Sequence, residues 1–128
     1  MKKLIAASVV ALLAVAASAG SFPEIKIGEV KSAIATGKVT LIDVNGTESW
    51  KEGHIPGAID FASNKDKLAS VLPKDKNALI VAYCGGPQCQ AYQQAAKAAK
   101  DLGYKNVKHL VAGISGWKQA GEKVDRSG

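Results

Sequence analysis

The chain has 128 residues, of which 47% are hydrophobic and 22% are charged, and its formal net charge is +6. A chain of this length supports a single domain with one hydrophobic core. Arg126 is the only arginine, and the lysines are spread singly without interleaved aromatic residues. The composition therefore argues against nucleic-acid binding, while the mild positive charge suits small anionic substrates.

The first nineteen residues have the pattern of a secretory signal peptide. Lys2 and Lys3 precede an uncharged, largely apolar stretch at 4–16, and small residues follow at 17–19. We expect cleavage after residue 19, because the apolar stretch is short for a membrane span and ends in cleavage-type residues. An N-terminal anchor helix is the less favoured alternative. The mature chain is then expected to be periplasmic or secreted, with a charge of +4 and no membrane attachment.

The remaining sequence alternates between strand and helix patterns. In chain order, we predict a strand at 25–27, a helix at 28–36, a strand at 39–44, a helical turn at 48–52, a strand at 58–59, a helix at 65–71, a strand at 78–83, a helix at 90–102, a strand at 107–111 and a helix at 115–120. This alternation predicts an α/β fold, with a central, mainly parallel β-sheet and helices on both faces. We expect one domain over 24–124 and a flexible tail at 125–128.

Cys84 follows directly after the predicted central strand. The next residues, Gly85, Gly86 and Pro87, do not suit the interior of a strand or a helix, so they predict a loop that leads into the next helix. Ligands of parallel α/β sheets bind at this edge, and helix N-termini favour anions. We therefore expect the Cys84 thiol to ionise readily and to act as a nucleophile.

A second cysteine, Cys89, lies five residues after Cys84. In an exported protein, two cysteines first suggest a disulfide. A disulfide across so short a loop would add little stability and would occupy the exposed thiol, so a reactive pair explains the two cysteines better than a structural bridge. Three roles for Cys89 stay open, namely a resolving thiol, a loop filler and a disulfide partner in a resting oxidised state.

Other polar residues are weaker candidates for the site. Asp43 ends a strand on the cysteine side, so it either orients the active loop by accepting N–H bonds or caps the following turn. We predict a turn or capping role for His54, because a thiolate held by a helix terminus needs no base. His109 is predicted to be a surface or hydrogen-bonded histidine. No metal site is predicted, since the two cysteines and two histidines lack ligand spacing.

Several motifs together resemble the rhodanese-like, single-domain sulfurtransferase family over about residues 24–124. These are Leu41–Val44 with Glu48 and Trp50, Gly53–Ala58, a strand followed by Cys84 and a helix, Leu102–Val107, Ala112–Trp117, and Ala120 with Gly121. The resemblance implies a rhodanese-like fold and a Cys84 that carries sulfane sulfur as a persulfide. It also implies transfer of that sulfur to a thiol, cyanide or a partner protein, with no cofactor.

The sequence departs from this family's pattern at two places. Asn45 stands where the family often has arginine, and the loop after Cys84 is about two residues longer than usual. That loop contains Pro87 and Cys89 but no basic residue, whereas many family members that use thiosulfate carry one in or near it. Thiosulfate and polysulfide therefore both remain possible anionic donors.

We assign persulfide binding to the loop that follows Cys84. Glycines allow the curled backbone whose successive N–H groups stabilise a sulfur anion without a charged side chain. The candidate loop residues are Gly85, Gly86, Pro87, Gln88, Cys89 and Gln90.

Two other functions compete with sulfur transfer. One is a thiol/disulfide redox or binding module that uses Cys84 and Cys89. The other, less favoured, is a cysteine-dependent phosphatase. Phosphoryl groups call for a bidentate arginine after the cysteine, and no arginine precedes Arg126.

Overall fold

The structure of the protein is a computed structural model that describes residues 22–127. The signal peptide predicted at 1–19 lies outside the described residues. Within them the chain forms a five-stranded sheet in the order β1-β5-β4-β2-β3, and every pairing is parallel. The strands are β1 Glu24–Ile25, β2 Thr40–Asp43, β3 Ile59–Asp60, β4 Leu79–Tyr83 and β5 Asn106–Leu110. The central strand β4 is therefore the one that leads into Cys84.

The helices are short, apart from α1 and α5. Their bounds are α1 Ile27–Ala35, α2 Thr47–Glu52, α3 Phe61–Asn64, α4 Leu68–Val71, α5 Tyr92–Asp101 and α6 Gly113–Gln119, with a 3₁₀ turn at Lys65–Lys67. Among the residues described, no helix is both long enough and apolar enough to cross a membrane.

Side chains alternate between the two faces of the sheet, and helices cover both. Ile80 and Ala82 pack on one face with the buried alanines of α5, and Cys84 continues this alternation into the same cluster. Val81 and Tyr83 point to the other face, where α1 and α6 supply buried side chains. The predicted α/β fold, a mainly parallel sheet with helices on both faces, is confirmed. The Cys84 thiol lies on the side of α5.

Several element bounds differ from the predicted ones. Ile27 begins α1 rather than ending a strand, because the Glu29 carboxylate accepts the Lys26 N–H and fixes the helix start there. The predicted helix at 65–71 begins earlier and is broken, since the Asp60 side chain caps α3 by accepting the Ala62 N–H. Helix α6 begins at Gly113, two residues before its predicted start.

Residues 125–127 form hydrogen bonds with the rest of the described chain, and the flexibility predicted for the tail at 125–128 stays a prediction. Asp125 and His54 exchange two backbone hydrogen bonds of 3.0 and 2.9 Å, and the Ser127 N–H donates to the Lys51 carbonyl. The Arg126 Nε also donates to the Glu52 carbonyl. These bonds fix the segment against α2 and the loop that follows it. These bonds could not be predicted from the sequence, because all but that of Arg126 join two backbone groups.

Candidate functional site

Cys84 lies at the carboxyl end of β4, between α5 and α6. Only 2% of its surface is exposed, and it packs within the cluster that includes the alanines of α5. The sequence predicted this position. The structure adds that the loop after Cys84 runs through six irregular residues before Ala91, and that α5 begins at Tyr92. The loop therefore ends two residues later than the predicted helix start at Gln90.

The sulfur atoms of Cys84 and Cys89 are joined in a disulfide. Their Cα atoms are 6.3 Å apart, within the usual range for such a bond. The predicted nucleophile is thus occupied and covered by Cys89 in this state. Of the three roles left open for Cys89, this arrangement shows that of a disulfide partner and is compatible with that of a resolving thiol.

A tight turn brings Cys89 back over Cys84. The Cys89 N–H donates to the Gly86 carbonyl at 3.1 Å, which closes a four-residue turn with Pro87 at its second position. Proline favours this position because its ring fixes the φ that such turns require. Within residues 22–127, the N–H groups of Gly85, Gly86, Gln88 and Gln90 donate to no protein acceptor. Anion binding by these groups, which the sequence analysis expected of this loop, stays a prediction.

Helix α6 holds the other side of the loop. The Ile114 and Ser115 N–H groups donate to the carbonyls of Cys84 and Gly85, both at 2.9 Å. The first turn of a helix has N–H groups without helical partners, and the loop carbonyls satisfy two of them. These two carbonyls are thereby tied to α6.

Gly113 makes this contact possible. Its φ is +63°, and a Cβ at this position would lie 2.6 Å from the Cys84 carbonyl oxygen and 2.7 Å from the Gly86 nitrogen. No side chain fits at such distances, so only glycine allows α6 to approach the loop this closely. From the sequence, Gly113 is only a helix break at the expected edge of the sheet. The close approach depends on the tertiary fold.

Asp43 belongs to a buried network beneath the loop. Its Oδ1 accepts the Asn45 N–H at 2.8 Å, which caps the turn after β2, one of the two roles predicted for it. Its Oδ2 accepts the Tyr83 hydroxyl at 2.7 Å, and the Tyr83 oxygen in turn accepts the Ile55 N–H at 3.0 Å. In the described chain, Asp43 makes no hydrogen bond to residues 85–90, so its influence on the loop passes through neighbouring strand ends. Sequence reasoning missed Tyr83, although its position directly before Cys84 was a signal that could have identified it.

Burial raises the pKa of the Asp43 carboxyl above its ordinary value, although the hydrogen bonds from Asn45 and Tyr83 oppose this. Burial, and then the nearby Asp43 charge, raises the pKa of the Tyr83 hydroxyl, which therefore stays protonated and donates. A carboxyl whose pKa is raised by folding adds stability at low pH, and this contribution is lost as the pH rises through the folded-state pKa.

We expect Asp43→Asn to remove this pH dependence. The amide keeps the shape and has no charge to desolvate, so the variant should gain stability relative to the parent chain as the pH rises from about 4 to about 7. Urea unfolding of both chains across this range measures the difference. The raised pKa assigned to Asp43 is contradicted if the difference in unfolding free energy between the two chains stays constant across this range. It is also contradicted if the variant loses stability relative to the parent chain as the pH rises.

We expect Tyr83→Phe to lower the free energy of unfolding by about 2–3 kcal/mol, because it leaves both the Asp43 Oδ2 and the Ile55 N–H without their partner. Tyr104→Phe is a matched control, since its hydroxyl donates only to the Pro73 carbonyl. Its expected cost is about 1 kcal/mol. Urea unfolding at neutral pH compares the two variants, and an equal cost for both would contradict a special role for the Tyr83 network.

Asn45 borders the loop on the side of β2. A Cβ on Gly85 would lie 3.7 Å from the Asn45 Oδ1. The Asn45 Nδ2 is buried and has no hydrogen-bond partner among the described residues. Asn45 therefore places its side-chain oxygen next to Gly85, at the position where the resemblance leads one to expect arginine.

His54 lies in the loop between α2 and β3. Its Nδ1 hydrogen bonds to the Trp50 carbonyl, and its ring stacks on the Trp50 indole with centroids 4.1 Å apart. Its backbone forms the bridge to Asp125 described above. The ring forms no hydrogen bond with residues 85–90 in the described part of the chain. The contacts are those of a residue that orders the Gly53–Gly57 loop, as the sequence analysis expected.

The prediction for His109 was wrong. It is neither at the surface nor fully hydrogen bonded, because β5 places it at 7% exposure and its Nε2 has no partner within residues 22–127. Its ring stacks on Tyr92, the first residue of α5, with centroids 3.4 Å apart. Burial lowers the pKa of His109, which favours the neutral ring. The mixed polarity of β5 did not indicate the stacking of His109 on Tyr92, because this contact depends on where the fold places α5.

A small hollow opens next to the start of α5, on the same edge of the sheet. Its volume is about 120 Å³, and among residues 22–127 Lys65 is the only charged residue that lines it. The other lining residues are Val44, Gly46, Phe61, Ala62, Ala91 and Gln94. The loop after Cys84 lacks a basic residue, and Lys65 lines this hollow together with Ala91, the residue that directly follows the loop. Sequence reasoning did not identify Lys65, because eighteen residues lie between it and Cys84 along the chain.

Comparisons with known proteins agree with this architecture. The Rhodanese-like domain family matches residues 26–120. Thiosulfate sulfurtransferase GlpE of Pseudoalteromonas translucida is 28% identical over 109 residues, covering 83% of this chain and 99% of that protein. The solution structure of a rhodanese-like domain from an Anabaena protein superposes with a TM-score of 0.65 at 27% identity, covering 81% of this chain and 79% of that one.

A further relative is only partly covered. An HTH-type transcriptional regulator of Mycobacterium tuberculosis is 44% identical over 91 residues, which cover 70% of this chain but 38% of the regulator. This match therefore covers only part of a longer protein. Together, the family match over residues 26–120, the parallel sheet and the cysteine loop at its edge show that this chain belongs to the rhodanese-like domain family, a family of the sulfurtransferase type.

Proposed function

We propose that the protein is a sulfurtransferase that carries sulfane sulfur as a persulfide on Cys84. The observation that carries this proposal is the position of Cys84, at the carboxyl end of the central strand in a loop with unpaired N–H groups. The similarity to thiosulfate sulfurtransferases supports it. The reaction requires no cofactor, because cysteine supplies the nucleophile and the backbone supplies the anion site.

The chemistry begins with the reduced loop. The Cys84 thiolate attacks the sulfane sulfur of a donor, the donor's own bond to that sulfur breaks, and Cys84 becomes a persulfide, Cys84–S–S⁻. The leaving group is sulfite when the donor is thiosulfate, and a polysulfide shorter by one sulfur when the donor is polysulfide. The N–H groups of Gly85, Gly86, Gln88 and Gln90 are the donors closest in sequence to stabilise the terminal sulfur anion. An acceptor thiol, cyanide or a partner protein then removes that sulfur and regenerates the thiolate.

The donor is expected to be a small anion, either thiosulfate or polysulfide. The side chains that support such binding are the Asn45 amide, which lies next to Gly85, and Lys65, which lines the neighbouring hollow. Neither is a guanidinium, so the site lacks the bidentate clamp that a tetrahedral oxyanion favours. Because the site lacks this clamp, we expect polysulfide to be a better substrate than thiosulfate.

The test of this function is the production of thiocyanate from cyanide by the reduced chain, with thiosulfate and with inorganic polysulfide as donors. We expect turnover with at least one donor and a higher kcat/KM with polysulfide. Absence of thiocyanate above background with both donors would overturn the proposal.

A thiol/disulfide redox module is the second candidate, and the Cys84–Cys89 disulfide is the observation that favours it. In this alternative, the loop cycles between dithiol and disulfide without carrying sulfur. Titration with a dithiol reductant would then change the binding of a partner protein, while incubation with sulfur donors would add no mass to the reduced chain. A phosphatase remains disfavoured, since Arg126 is held at the Glu52 carbonyl by its Nε.

We also propose that the protein works outside the cytoplasm after removal of residues 1–19. The basic and apolar pattern of that segment supports export, as does a cysteine pair that forms a disulfide. N-terminal sequencing of the protein from an extracellular or periplasmic fraction tests this, and a mature chain that still begins at Met1 would contradict it.

A further inference from the structure

We propose that Cys89 resolves the Cys84 persulfide and releases its outer sulfur as hydrogen sulfide, so that the protein also reduces sulfane sulfur. This inference rests on the proposed persulfide on Cys84 and goes beyond it, because the sulfur leaves as sulfide rather than passing to an acceptor. The disulfide seen in the structure is then the product state of this reaction.

The position of Cys89 determines which sulfur it attacks. The disulfide joins Cys89 to the Sγ of Cys84, which is the inner sulfur of the persulfide. The outer sulfur is therefore the leaving group. A thiol that approached only the outer sulfur would instead take it over and become a persulfide itself.

The loop is preorganised for this attack by backbone contacts that exist besides the disulfide bond. The turn from Gly86 to Cys89 is closed by a backbone hydrogen bond, and Pro87 restricts its conformations. On the other side, the carbonyls of Cys84 and Gly85 are bound by the first turn of α6. Both cysteines are thus held from the backbone, so the reduced loop keeps Cys89 near Cys84 and gains effective concentration for an intramolecular step.

The step balances without an external oxidant. The Cys89 thiol and the Cys84 persulfide react to form the Cys84–Cys89 bond, the bond between the two persulfide sulfurs breaks, and the Cys89 proton leaves with the outer sulfur as HS⁻. The sulfane sulfur gains two electrons, which the two cysteine thiols lose as they become a disulfide. A dithiol reductant then restores both thiols, so the net reaction converts sulfane sulfur and a dithiol into sulfide and a disulfide.

The product state also protects the site. With Cys89 bonded to it, Cys84 is only 2% exposed, so a donor cannot reach its sulfur until the disulfide is reduced. Each turnover of sulfide release therefore ends in a closed loop. Transfer to an external acceptor competes with this step, and the concentration of acceptor decides how the sulfur is divided.

The experiment uses single turnover in the absence of cyanide, thiols or other acceptors. The reduced chain and its Cys89→Ser variant are each mixed with one equivalent of thiosulfate labelled at its outer sulfur, and in parallel with inorganic polysulfide. Free sulfide is trapped and quantified, and the intact mass of each chain is recorded over time. A series of protein concentrations separates reaction within one chain from reaction between chains.

We expect the parent chain to release about one equivalent of labelled sulfide and to lose two hydrogens, as one disulfide forms per persulfide. The Cys89→Ser variant should keep the sulfur on Cys84, a gain of ~32 Da, and release sulfide at least about tenfold more slowly. The rate for the parent chain should not depend on protein concentration.

Retention of the sulfur by the parent chain for as long as by Cys89→Ser would overturn the inference and leave the proposed sulfurtransferase intact. A release rate that increases with protein concentration would also overturn it, because the attack would then come from another chain. If Cys89→Ser takes up no sulfur from either donor, the proposed function itself fails, and the inference fails with it.

Discussion

Replacement of Cys84 by serine is expected to reduce sulfur transfer to cyanide to the uncatalysed background, a loss of at least about a thousandfold. Serine has nearly the same size, but its hydroxyl is not ionised near neutral pH and forms no persulfide. Because Cys84 is 2% exposed in a packed cluster, the small change of volume should leave the sheet intact. Thiocyanate formation with saturating donor measures the effect.

Cys89→Ser is the control for this substitution, since it removes the same disulfide and keeps the proposed nucleophile. We expect it to form thiocyanate at a measurable rate. Retained activity in Cys84→Ser would contradict the assigned nucleophile. Loss of activity in both variants, with unchanged far-UV circular dichroism, would mean that the reaction needs the two thiols together.

The second large effect is expected from Gly113→Ala. Two costs add at this position, the left-handed φ of +63° and the overlap of a Cβ with backbone atoms of Cys84, Gly85 and Gly86 at 2.6–2.7 Å. The conformation alone costs about 1–2 kcal/mol for a residue with a side chain. Since the overlapping atoms are backbone, they move only if α6 or the loop moves, and we expect a total loss of about 4 kcal/mol or more.

Gly121→Ala separates these two costs. Gly121 follows α6 with a φ of +81°, but nothing lies within 4 Å of the position of its missing Cβ. We expect it to cost only the conformational part, about 1–2 kcal/mol. Urea unfolding gives both values.

Sulfur transfer by the folded fraction of Gly113→Ala should also fall about a hundredfold, because displacement of the loop by about 1 Å disturbs its geometry. Equal costs and unimpaired transfer would contradict the role assigned to α6.

Much of the fold followed from the sequence because its signals are local. The apolar run before Cys84, the alternation of strands and helices, and the glycines at helix ends predict the parallel sheet and place the cysteine at its edge. Boundaries shifted where side-chain caps act, as at Asp60 and Glu29, since a cap overrides the hydrophobic pattern by fixing where the first turn begins. The docking of residues 125–127 could not be predicted, because it uses only backbone groups and one exposed arginine.

The candidate site was predictable as a cysteine and its loop, but not as an assembled environment. Gly113 and Tyr83 act through residues distant in sequence, and nothing local distinguishes them from a helix break and a strand end. His109 shows the same limit, since its burial depends on the stacking of Tyr92 above it. The pairing of Cys84 with Cys89 was foreseen as one of several possibilities, and only the turn around Pro87 shows how the two sulfurs meet.

The central claim is that Cys84 carries sulfur, and the mass of the reduced Cys89→Ser chain tests it most directly. Without Cys89, a persulfide on Cys84 has no resolving partner within the loop and should persist. After incubation with thiosulfate or polysulfide and removal of the donor, we predict a gain of ~32 Da that maps to the peptide containing Cys84. An unchanged mass with both donors, in a chain whose Cys84 still reacts with an alkylating agent, would contradict the account.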